Sequence, residues 1–184
     1  MLRPARIATL AAIVLFLAAT APAATATAAA APTWTNTHGR RVVNIIDRGK
    51  AVAQVGVDTH WLVDGGVVTA TRGFARLSIL VPDGSICVGP GQAGCRPRGR
   101  IERVNHGAIV NGGPGPLLAT TVIPSSTTGP GTSVRAETEP AVGTPNCSVV
   151  VTAAYVDIRL RDNRLLDNVR IASTPAQVGF GCPN

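Results

Sequence analysis

Residues 148–161 read SVVVTAAYVDIRLR. In an extended chain successive side chains point to opposite faces. Val150, Ala154, Val156, Ile158 and Leu160 then share one face, and Tyr155, Asp157, Arg159 and Arg161 the other. An apolar face and a polar face at a period of two define a half-buried β-strand. Asp162 and Asn163 both tolerate positive φ, so they predict a two-residue turn with residues 164–171 returning antiparallel. That pairing sets Leu160 against Leu165 and Val156 against Val169, but Ile158 against Asp167. The mismatch predicts a bulge or a longer turn.

The same alternation runs upstream. Ala75, Leu77, Ile79 and Val81 oppose Arg76 and Ser78. Residues 42–47 and 51–58 form strands joined at Arg48-Gly49. Residues 60–63 and 67–71 flank the hairpin signal Asp64-Gly65-Gly66, and Pro82-Asp83-Gly84 supplies a further turn. Residues 102–110 read as a weaker strand, interrupted by Gly107. Residues 111–146 are rich in Gly, Pro, Ser and Thr, and leave only 117–123 and 133–138 as short strands between loops. About eight to ten short strands with turns between them predict an all-β fold, an antiparallel β-sandwich with a small β-barrel as the alternative.

The first 30 residues follow a different logic. Arg3 and Arg6 precede an uncharged apolar run from Ile7 to Ala19, and small residues follow. This is the pattern of a secretory signal peptide, and the run is shorter than the roughly 20 residues of a membrane span. Residues 31–184 are then expected to form one secreted, extracellular domain. Cys87, Cys95, Cys147 and Cys182 all lie after the leader, an arrangement that predicts two disulfides. Three connectivities are open, of which Cys87–Cys95 and Cys147–Cys182 are favoured. No C-x-x-C pair points to a metal.

The chain carries 17 Lys+Arg against 10 Asp+Glu, and all the basic residues but Lys50 are arginine. It stays basic without Arg3 and Arg6, which favours anionic partners weakly. Three arginines at every second position close the stretch ICVGPGQAGCRPRGR, residues 86–100. Arg96, Arg98 and Arg100 fall on one side of an extended segment, and Arg103 extends the patch after a bend. Pro97 lacks an N–H, so the segment is not expected in the centre of a sheet. A short disulfide before it would stiffen the loop. Arg96, Arg98, Arg100 and Arg103 are the candidate binding residues. The bland alternative is a stapled hairpin with solvated arginines.

Catalysis is weakly supported. His38, His60 and His106 are the histidines, Ser85 is a turn serine, and no G-x-S-x-G occurs. Asp58 and His60, two apart, can face one side of a strand, with His106 as a third metal ligand. Arg96 or Arg98 beside a disulfide suggests a protease inhibitor, although Pro97 complicates that reading. The later aromatics are Trp34, Trp61, Phe74, Tyr155 and Phe180. They leave a polysaccharide-binding module open but poorly provisioned with flat platforms, and the same shortage argues against stacking single-stranded nucleic acid. The expectation is therefore a secreted, non-catalytic binding domain without a cofactor. Its expected partner is an anionic cell-wall polymer or a secreted protein. A secreted hydrolase using His with Ser or Asp, or a bound metal, is the alternative.

Overall fold

Three two-residue turns organise the chain. Arg48 and Gly49 have φ of +48° and +77°, Gly65 and Gly66 +54° and +82°, and Asn111 and Gly112 +52° and +76°. Paired positive φ values match the twist of antiparallel strands. The turns join β1 (Thr33–Asp47) to β2 (Lys50–Asp64), β2 to β3 (Val67–Ile79), and β4 (Arg98–Val110) to β5 (Gly113–Val122). The remaining strands are β6 (Thr127–Thr128), β7 (Ser133–Glu137), β8 (Ala141–Val142), β9 (Val149–Arg159), β10 (Leu165–Ala172) and β11 (Ala176–Gln177). The computed structural model describes residues 31–80, 97–122, 127–160, 164–180 and 182.

The strands build two antiparallel sheets. The first has the order β1-β2-β3-β7, with β8 also on β3; the second has β10-β9-β4-β5, with β11 on β9 and β6 on β4. Neither sheet closes on itself, so the sandwich reading holds and the barrel alternative falls. Val55, Val57, Leu77 and Ile79 from the first sheet meet Ile101, Val104, Val156 and Ile158 from the second in one apolar core. β9 follows the alternation at residues 148–161, with Val150, Ala154, Val156, Ile158 and Leu160 all buried.

Several strands exceed their sequence limits. β1 starts nine residues before Val42, and residues 51–58 and 60–63 are parts of the single strand β2. β4 is continuous through Gly107 and lies between β9 and β5, so it is neither weak nor peripheral. The predicted Val156–Val169 pair forms, and a bulge falls between Leu166 and Val169. Ile158 faces Leu166 instead of Asp167, and Leu165 faces Arg159 instead of Leu160. The bulge absorbs the extra residue, with Asn168 at a φ of +51°. Cys147 and Cys182 form a disulfide. Cys87–Cys95, Ser85, Arg96 and the turns at 82–84 and 162–163 lie outside the described residues.

Candidate functional site

From Gln54 to His60 on β2 and from Arg72 to Ser78 on β3, the even-numbered residues point away from the core and build the outer face of the first sheet. Register sets them in rungs. Gly56 faces Arg76, which faces Arg135; Asp58 faces Phe74, which faces Glu137; His60 faces Arg72. Gly56 puts no side chain into its rung, and even an added Cβ would meet nothing closer than Val42 Cγ2 at 3.9 Å. The result is a cleft of about 540 Å³, with Arg40 at its rim. That volume lies within the range of small-ligand sites, about 300–1,000 Å³.

Charge is unevenly placed along this cleft. Arg72 Nη1 lies 2.6 Å from Glu137 Oε2, and its guanidinium covers Trp34 at 4.0 Å from the ring centroid. His60 Nε2 lies 2.9 Å from Asp58 Oδ1. Glu137 is thereby paired with Arg72 and Asp58 lies against His60, and Arg40, Arg76 and Arg135 have no acidic partner among the described residues. Arg76 and Arg135 are exposed and directly opposite one another. Like charges placed this way destabilise a sheet.

The floor is polar and incompletely matched. The Asp58 and His60 side chains are only 10% and 9% exposed. The Asp58–His60 contact is close but lacks hydrogen-bond alignment, so Asp58 Oδ1 is unmatched, as are His60 Nδ1 and Arg72 Nε. Unmatched buried polar atoms are uncommon in folded proteins. Phe74 stacks on His60 at 4.9 Å. At the neighbouring edge, His38 stacks on Trp61 at 3.5 Å and Phe180 meets Trp61 edge-on. Burial, then the nearby His60, lower the His38 pKa against an opposing pull from Asp58.

Three of the predicted arginines, Arg98, Arg100 and Arg103, form a second basic surface on the outer face of the other sheet. Arg98, Arg100 and Arg103 face Arg159, Asp157 and Tyr155, each two residues apart on β9. An irregularity between Ile101 and Arg103 keeps Arg103 on the face of Arg98 and Arg100. Arg98 and Arg100 thus belong to a strand in the middle of a sheet, not to a presented loop. Strand β4 starts just after Pro97, so the missing N–H falls outside the ladder. Arg100 donates through Nε and Nη2 to Asp157 Oδ2, both at 2.7 Å. Burial alone would raise the Asp157 carboxyl. The Asn168 N–H and Arg100 outweigh it, helped by Asp167, and hold the pKa down. Arg103 lies over the Tyr155 ring at 3.9 Å.

His106 occupies a different environment, fully buried between the sheets. Thr144 Oγ1 donates to Ala141 O, so it accepts from Thr71 Oγ1. Thr71 in turn accepts from His106 Nε2 at 2.8 Å. Nδ1 therefore accepts from Thr152 Oγ1, which also bonds Thr59 Oγ1. Burial lowers the His106 pKa from 6.5 to about 4. This histidine is a neutral core group. It does not join Asp58 and His60, which share the outer face as the spacing predicts, and no cluster of three metal-ligating side chains occurs among the described residues.

The sequence reading singled out Asp58 and His60 but missed Arg40, Arg72 and Arg135 as their neighbours. These lie far apart in the chain and meet only through strand pairing. Arg76, pointing away from Ala75 and Leu77, was the visible signal. Compared with known proteins, the chain matches no protein family, no curated protein and no solved structure.

Proposed function

We propose that this protein is a secreted, non-catalytic binding domain that takes an anionic ligand in the cleft on the outer face of its first sheet. The observation that carries this reading is the Arg76–Arg135 pair, two opposed cations without an acidic partner among the described residues. An anion placed between them would relieve their repulsion and accept charge-assisted hydrogen bonds. Export is supported by the basic, apolar and small-residue pattern of residues 1–30 and by the Cys147–Cys182 bridge. The arginines of the second sheet are a weaker candidate, because Arg100 is already paired with Asp157.

Retention on heparin-agarose across a salt series tests the reading. The Arg76→Ser/Arg135→Ser variant is expected to elute at markedly lower salt than the wild type. Arg98→Ser/Arg103→Ser removes the same charge from the second sheet and is expected to shift elution less. The reverse order would move the site to the second sheet. Equal shifts would reduce the effect to net charge alone.

A further inference from the structure

We infer that the ligand of this cleft is an acidic saccharide, a sugar unit with one carboxylate and free ring hydroxyls. This deepens the anion-binding reading and rests on it. The cleft is not uniformly basic. Arg76 and Arg135 mark one rung, and the Asp58 carboxylate lies in the next. A ligand that offers only anionic groups, with no hydroxyl to set against Asp58, would meet that carboxylate with a like charge and be repelled. A neutral ligand would leave the Arg76–Arg135 repulsion in place.

An acidic sugar answers both demands. Neighbouring rungs on one face are two residues apart, about 6.6–6.8 Å along the strand, comparable to a pyranose ring with its substituents. A carboxylate between Arg76 and Arg135 matches the planar fork of a guanidinium. The ring hydroxyls then reach the floor. One donates to the Asp58 carboxylate, which lines the cleft and has an unmatched oxygen. The terminal torsion of an aspartate is soft and roughly two-fold, so rotation exchanges the oxygen facing the cleft. Recognition is by charge and hydrogen bonds. It does not need the flat aromatic platforms that this chain lacks.

Calorimetric titration with tetragalacturonate and with tetraglutamate, at matched salt, separates hydroxyl recognition from charge. The wild type is expected to bind tetragalacturonate about tenfold more tightly, the scale of one hydrogen bond to a charged group. Asp58→Asn, or Asp58→Ser if the first variant folds poorly, should weaken tetragalacturonate about fivefold or more. Neither should weaken tetraglutamate. Arg76→Ser/Arg135→Ser should weaken both ligands. Equal wild-type affinities would overturn the saccharide inference while leaving the anion reading intact, as would a loss on Asp58 substitution shared by both ligands. Absence of binding to either ligand would overturn both.

Discussion

His106 shows how one side chain couples the core to pH. The unfolded chain takes up a proton there near pH 6.5, the folded chain only near pH 4. Between those values the unfolded state holds more protons, so stability rises with pH across the window. The contribution of neutral His106 is complete above about pH 6.5. It is lost as the pH falls toward 4, by roughly 3 kcal/mol. Denaturant titrations at about pH 4.5 and 7 should show this loss, and His106→Asn should remove most of it. An unchanged difference in the variant would place the acid sensitivity in other groups. The role of His106 was not legible beforehand. Its partners Thr71, Thr144 and Thr152 come from separate segments, and nothing local to residue 106 signals their approach.

At the scale of elements, close approach of the two sheets depends on Gly73. A Cβ there would stand 2.7 Å from Thr152 Cγ2 and 3.3 Å from His106 Cβ. Thr152 cannot turn away without losing its bonds to Thr59 and His106. Gly73→Ala is therefore expected to lower stability by about 1–3 kcal/mol. Gly129→Ala, with nothing within 4 Å of its added Cβ, should change it by no more than about 0.5 kcal/mol. Equal effects would show that the sheets yield easily at Gly73. β9 was legible because apolar and polar residues alternate without a break from Ala154 to Arg159. β4 was obscured by its arginine-rich start and Gly107. Its polar outer face is sustained by β9, which brings Asp157 to Arg100. The turn at Asn111-Gly112 carried a strong hairpin signal, hidden within a stretch read as loops.

For the whole molecule, the Cys147–Cys182 bridge spans 35 residues and holds the far end of the second sheet. Nearby, Cys147 N–H donates to Val178 O, and Phe180 meets Trp61. Loop entropy alone assigns such a bridge about 3.8 kcal/mol, and native bridges are typically worth about 2–5 kcal/mol. Cys147→Ser/Cys182→Ser should lower the unfolding midpoint accordingly. An unchanged midpoint would show that β11 and its contacts hold this end unaided. The same scale determines where charge resides. The sandwich carries arginines on both outer faces, but Asp157 answers Arg100 on one, while Arg76 and Arg135 oppose each other on the other.

The sequence by itself determined the all-β class and the turns at Arg48-Gly49 and Gly65-Gly66, and it called for a bulge or a longer turn after Leu160, while sandwich and barrel both stayed open. These follow from period-two alternation and from local φ preferences, both properties of neighbouring residues. Only the tertiary structure decided which arginines are neutralised, that His106 lies in a threonine network, and that Arg40, Arg72, Arg76 and Arg135 share a cleft with Asp58 and His60. Those facts depend on strand order and register, which join residues distant in the chain and which local patterning leaves open.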